Sequence, residues 1–189
     1  MQRLCIYCGS SPGGRPEFAE RAQALATALT EREIDVVYGG ACKGIMGVVA
    51  DAVLARGGRV VGVMPRALVD KEVAHQGLSE LHVTDTMHER KALMARLADG
   101  FVALPGGFGT LEEIVEALTW AQLGFHEKPC GLFNVAGYYD ALLQFFANAS
   151  EDGFVKAAHR KMLIVEDEPT ALLDRFASYR APVEGKWHE

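Results

Sequence analysis

The sequence is short of cysteine, of long hydrophobic runs and of positive charge, and each shortage removes a class of protein. Four cysteines, Cys5, Cys8, Cys42 and Cys130, in 189 residues are too few for a small secreted scaffold held by disulfides. Cys5 and Cys8 form a C-x-x-C. That pair lies in an apolar run from Leu4 to Cys8 that reads as a strand, where positions three apart face opposite sides. No second Cys or His pair follows at zinc spacing, so buried reduced thiols are expected. The six histidines (His75, His82, His88, His126, His159, His188) show no H-x-x-x-H pairing, and no metal site is read. No apolar run reaches the length of a membrane span. Met1-Gln2-Arg3 leads directly into the first strand without a signal-peptide pattern, so a cytoplasmic location is expected. Acidic residues outnumber basic ones, 25 against 19, for a formal net charge of -6. Neither nucleic acid nor an anionic membrane is then an expected partner, although a local basic pocket for a small anion is compatible with that balance.

What is present is the composition of a folded protein: 49% hydrophobic and 23% charged residues, ample apolar material to offset the entropy of ordering. The length suits one domain, expected over residues 1–180, with 181–189 as a loose tail. Short apolar runs alternate with stretches of helical period. Strands are expected at Leu4 to Cys8, Val36 to Tyr38, Val60 to Met64, Leu81 to Val83, Phe101 to Leu104, Cys130 to Val135 and Leu163 to Val165. Helices are expected at Pro16 to Arg32, Ile45 to Ala55, Met87 to Ala98, Thr110 to Leu123, Tyr138 to Ala149 and Pro169 to Tyr179. The stretch from Arg66 to Glu80 reads as a polar loop with a short helical turn. This alternation predicts an α/β fold, a parallel sheet covered by helices on both faces. Ligands of such sheets bind beyond the carboxyl ends of the strands.

Two loops at those ends are rich in glycine and open a helix. They are Gly39-Gly40-Ala41-Cys42-Lys43-Gly44-Ile45-Met46-Gly47 and Pro105-Gly106-Gly107-Phe108-Gly109-Thr110-Leu111-Glu112-Glu113. Backbone N–H groups in such a turn can close on a phosphate, and the helix N-terminus adds partial positive charge. Neither loop is a dinucleotide fingerprint, because Glu112 stands where the last glycine belongs. Neither is a Walker A, because Ile45 and Met46 replace the Lys and Ser/Thr. Either alone reads equally as a tight strand-to-helix turn. Two in one small domain favour an anion the size of a nucleoside monophosphate.

Between them lies Met87-His88-Glu89-Arg90-Lys91. On a helix, Arg90 shares a face with Leu93, Met94 and Leu97, which places a guanidinium on an apolar stripe. A buried arginine requires an anion: an internal carboxylate in a structural ion pair, a ligand phosphate or a catalytic carboxylate. Glu112, Glu113 and Glu116 follow the second glycine loop. Acidic residues there are often only dipole partners. Beside a bound phosphate, however, a carboxylate is unfavourable unless it takes part in chemistry. Glu113 lies about one turn into the helix, where the sugar of a bound nucleotide would sit, and Glu112 points about 100° away. The same helix carries Ile114, Val115, Ala117, Leu118, Trp120, Ala121, Leu123 and Phe125 over more than one face. Its extra face is expected to pack against a second copy in a two-fold dimer.

These residues resemble the LOG ("lonely guy") family of cytokinin riboside 5′-monophosphate phosphoribohydrolases, long labelled possible lysine decarboxylases. The resemblance is carried by Gly39-Gly40 with Gly44 and Met46-Gly47, by Met87-x-x-Arg90-Lys91, and by Pro105-Gly106-Gly107-x-Gly109-Thr110-x-x-Glu113. It continues through Thr119-Trp120-Ala121-Gln122-Leu123-Gly124, Lys128-Pro129 and Asn134-Val135-x-Gly137-Tyr138-Tyr139. It implies a Rossmann-like, doubly wound fold, a homodimer, no cofactor, and hydrolysis of the N-glycosidic bond of AMP or an N6-substituted AMP. By position, Arg90 and Glu113 fall on the catalytic pair. Gly39, Gly40, Glu72, Met87, Lys91, Gly106, Gly107, Phe108, Gly109, Thr110 and Thr119 fall on substrate or phosphate contacts. The chemistry suits these residue types: breaking the bond builds positive charge on the ribose, which a nearby carboxylate stabilises while activating water. The alternative is a nucleotide-binding module without turnover, which the glycine loops serve equally and from which Glu113 separates the enzyme. Pyridoxal-phosphate lysine decarboxylation would need a Schiff-base lysine, and no motif supports Lys43 or Lys91 in that role.

Overall fold

Apolar runs that end at Gly or Pro become strands, and the amphipathic stretches between them become helices. The computed structural model describes residues 1–69 and 74–182. Along the chain run β1 (Arg3–Tyr7), α1 (Glu17–Glu31), β2 (Asp35–Tyr38), α2 (Gly44–Leu54), β3 (Val60–Pro65), α3 (Arg66–Val69), β4 (Glu80–Thr84) and α4 (Met87–Leu97). There follow β5 (Gly100–Ala103), α5 (Phe108–Gln122), β6 (Cys130–Phe133), α6 (Asp140–Glu151), α7 (Ala157–Arg160), β7 (Leu163–Glu166) and α8 (Pro169–Ser178). The strands form one sheet in the order β4-β3-β2-β1-β5-β6-β7, with every adjacent pair parallel.

Alternate side chains of each strand enter opposite cores, because the strand period is two. Leu4, Ile6 and Cys8 pack with Leu25, Leu29, Val53 and Phe176 of α1, α2 and α8. Cys5 and Tyr7 pack with Met94, Ile114 and Ala117 of α4 and α5. The two cysteines of the C-x-x-C therefore lie on opposite faces, both free, and burial raises both thiol pKa values. They are small hydrophobes, not a redox pair.

Three expectations need correction. The strand read through Val135 ends at Phe133, because the chain turns there: Ala136 and Gly137 have φ of +51° and +72°. The following helix accordingly starts at Asp140 instead of Tyr138. The four residues of α7 are too few for the helical period to show in sequence. In the stretch after β3, α3 supplies the short helical turn, and Ala74 pairs antiparallel with Ala41. Glu72 and residues 183–189 of the tail lie outside the described residues. No helix among the described residues is long and apolar enough to cross a membrane.

The sheet order reverses between β1 and β5. From β1 the chain builds outward through β2, β3 and β4, then α4 crosses back to start β5 on the other side. There the loops after β1 and β5 are joined by a Gly9 N to Pro105 carbonyl bond of 3.1 Å, and both border a crevice at the strand ends.

Candidate active site

The crevice is a cleft of about 340 Å³, within the range of small-molecule sites. Tyr7, Cys8, Gly9 and Ser10 form one wall, with Gly39 and Met46 beside them. Met87 and Arg90 of α4 face the start of α5, which contributes Gly107, Phe108, Gly109, Thr110, Glu112 and Glu113.

The position of Arg90 is set by the start of its helix. Thr86 caps α4, accepting from Glu89 N at 3.1 Å, while the Glu89 carboxylate accepts from Thr86 N at 3.2 Å. This reciprocal box fixes where the helix begins and so which side Arg90 takes. The Arg90 Nε donates to the Val63 carbonyl at 3.0 Å, and Nη1 lies 3.2 Å from Glu113 Oε1. A Cβ on Gly39 would overlap Nη2, so a glycine there gives the guanidinium its room. The arginine expected on an apolar stripe is buried and held on three sides.

Glu113 projects into the cleft from one turn inside α5, with its side chain 11% exposed. Burial pushes its pKa up to about 7 although Arg90 beside it works in the opposite direction; Glu112 and Glu116 add to the rise and Lys91 opposes it. A carboxyl poised near neutrality is suited to proton transfer and to meeting developing positive charge. At the head of the same helix, Gly107 is the cap, and the first-turn N–H groups have no intrahelical acceptor. Such groups are suited to an anion, and buried Thr110 packs behind them against Gly106, where a Cβ would overlap the Thr110 hydroxyl.

A family model described as "Possible lysine decarboxylase" matches residues 46–176. The probable cytokinin riboside 5′-monophosphate phosphoribohydrolase LOGL9 of Oryza sativa subsp. japonica is 48% identical over 179 residues, covering 95% of this chain and 79% of its own length. This chain belongs to the LOG family. A further relative, the cytokinin riboside 5′-monophosphate phosphoribohydrolase LOG5 of Arabidopsis thaliana, is 45% identical over 185 residues, 98% of this chain and 81% of that protein. Among solved structures, the molybdenum cofactor carrier protein of Chlamydomonas reinhardtii superposes with a TM-score of 0.71 at 18% identity, over 94% of this chain and 99% of that one. At that identity the likeness shows the shared fold alone.

Not every residue that the LOG resemblance singles out lies in the cleft. Arg90, Glu113, Met87, Gly39 and the turn from Gly107 to Thr110 do. Gly40 instead packs towards Met64 and Leu81. Gly44, at φ +60°, brings the start of α2 against the backbone of Ser10, where any Cβ would collide. Most of the first glycine loop thus serves close chain packing. Lys91 is buried and bonded to the carboxylates of Glu112 and, at 3.0 Å, Glu116. Burial acts to lower its pKa, but those two bonds outweigh it and the net shift is upward. It clamps α4 to α5 and does not line the cleft. Gly106 borders an adjoining hollow with Phe18 and Tyr138. Thr119 lies further along α5 in a separate apolar hollow with Val115, Leu118 and Phe146. Met46, part of the LOG-like motif but not read as a contact, lines the cleft, as does Ser10, for which the available signal is its place in the loop after β1.

Proposed function

We propose that this chain hydrolyses the N-glycosidic bond of cytokinin riboside 5′-monophosphates and of AMP, releasing the free base and ribose 5-phosphate. The observation that carries the reading is the buried Arg90–Glu113 pair set one helical turn beyond an anion-binding helix start. A phosphate held at Gly107 to Thr110 brings the ribose to the Glu113 carboxyl. As the bond to the base breaks, the ionised carboxylate stabilises the cationic sugar and activates the attacking water. Arg90 orients that carboxylate and offers its remaining donors to the substrate. A pure anion binder gains nothing from an acid at this place. Pyridoxal chemistry does not fit these residues: Lys91 is held protonated between two carboxylates outside the cleft, the opposite of an activated Schiff-base lysine. The free thiols fit a reducing, cytoplasmic setting. The test is incubation with AMP and with isopentenyladenosine 5′-monophosphate, followed by chromatography for free base.

We also propose a homodimer. Ile114, Ala117 and Ala121 of α5 are buried against the sheet, whereas Val115 is exposed, as are Phe145 of α6 and Phe154 after it. Phe108, at the mouth of the cleft, is 93% exposed. Val115 shares a hollow with Leu118, Phe146 and Val155, the last two being sequence neighbours of the exposed Phe145 and Phe154, and an exposed apolar patch marks an interface. A self-complementary pairing there would cover the hollow around Thr119. Light scattering at micromolar concentration is expected to give twice the 20.5 kDa chain mass; a monomeric mass would contradict the proposal.

A further inference from the structure

The turn that carries the anion site has its carbonyls bound from behind. The Leu104 carbonyl accepts from the Tyr139 hydroxyl at 2.6 Å, the Pro105 carbonyl from Gly9 N at 3.1 Å, and the Gly106 carbonyl from the Tyr138 hydroxyl at 2.6 Å. In a trans peptide the C=O of one residue and the N–H of the next point in opposite directions. Drawing the Gly106 oxygen towards Tyr138 therefore aims the Gly107 N–H the other way. Tyr138 borders the hollow beside the turn, and Gly107 stands between that hollow and the cleft and lines both.

The two tyrosines are adjacent in sequence, and on a regular helix they would diverge by about 100°. Here their hydroxyls reach two different carbonyls of one turn, Gly106 and Leu104, and the chain before them reverses in a conformation that a non-glycine residue rarely takes. Ala136 has φ +51°, followed by Gly137 at +72°. The turn is stapled by the Asn134 side chain, which accepts from Tyr139 N at 2.7 Å and donates to Asp140 at 2.8 Å. The Tyr138 ring is fixed edge-on against Phe18 and Tyr139. A left-handed alanine persists only where its surroundings over-determine it, and what this one accomplishes is the delivery of two hydroxyls to consecutive parts of one loop.

We infer that Tyr138, supported by Tyr139, is a positioning residue for the 5′-phosphate: it orients the peptide groups of the anion-binding turn without touching the ligand. This inference rests on the function proposed above. Tyr138→Phe removes one hydroxyl from a partly exposed ring and keeps its ring contacts. The KM for AMP and the inhibition constant of ribose 5-phosphate are each expected to rise about three- to tenfold, the scale of one hydrogen bond. The kcat and the inhibition by adenine, which lacks a phosphate, are expected to stay within twofold. An unchanged constant for ribose 5-phosphate overturns the inference. So does a parallel loss of adenine inhibition, because a loosened fold weakens both ligands. If the unaltered protein releases no base from AMP, the functional reading is what fails. Calorimetric binding of ribose 5-phosphate to the two proteins then still decides the role of Tyr138.

Discussion

Glu113→Gln is expected to lower kcat by about 100-fold or more, the scale of one acid–base or electrostatic group, while nucleotide affinity stays equal or tightens slightly. In the ground state the Glu113 carboxylate stands near an anionic phosphate and competes with it for Arg90, 3.2 Å away. Neutralising it removes that repulsion and frees the guanidinium for the substrate. In the transition state the ribose is cationic, and the same loss removes its counter-charge. An interaction made only in the transition state lowers the rate without weakening ground-state binding. Glu112→Gln, which releases one of two carboxylates on Lys91, is expected to cost far less. The pH dependence carries a second signature. With a pKa of about 7, Glu113 takes up a proton as pH falls through neutrality, so kcat/KM falls with it. That limb is absent in Glu113→Gln, whereas a limb near pH 6 from the substrate phosphate remains. Stability runs the opposite way. Because burial raises this carboxyl above its ordinary value of 4.5, its protonated form favours folding, and stability is lost as pH rises through about 7. Between pH 5 and pH 8 the unaltered protein is therefore expected to lose more melting temperature than Glu113→Gln, which lacks the titrating group. Near-normal turnover in this variant would remove Glu113 from the mechanism and favour a binding module.

The second large effect concerns the phosphate. Adenosine is expected to be a poorer substrate than AMP by several orders of magnitude in kcat/KM. The helix start at Gly107 to Thr110 and the Arg90 guanidinium together supply several charge-assisted hydrogen bonds, each contributing about 1.5–3 kcal/mol, and every ~1.4 kcal/mol is tenfold. The phosphate also fixes where the ribose lies, so a nucleoside that binds without it has no reason to place its anomeric carbon at Glu113. Parallel initial-rate measurements on the two compounds check this, and comparable turnover would dissociate the glycine turn from catalysis.

What the sequence revealed and what it concealed divide along the range of the interactions. Strands and helices were legible because their apolar periods are local. Arg90 was legible as a misfit on an apolar stripe, and Glu113 by its distance along one helix from the glycine turn. The capping box at Thr86 and Glu89 is local too, a T-x-x-E, but only the structure brought it out. The strand order was less legible, although alternation with right-handed crossovers restricts it. Lys91 looked like a substrate contact by position. Its carboxylate partners on α5 become its neighbours only when α4 and α5 pack on one face of the sheet. The first glycine loop looked like a second phosphate cradle. Its glycines are instead needed where the Arg90 guanidinium lies against Gly39 and where the Ser10 backbone lies against Gly44, contacts between segments far apart in sequence. The two tyrosine hydroxyls were hidden by the left-handed alanine before them, which no residue preference announces.

The most direct measurement of the central claim is the product balance with AMP in water enriched in heavy oxygen. Cleavage at the N-glycosidic bond gives free adenine and ribose 5-phosphate in equal amounts, with the label in the sugar phosphate and none in inorganic phosphate. Release of inorganic phosphate with adenosine, or unchanged AMP at high protein concentration, would contradict that claim.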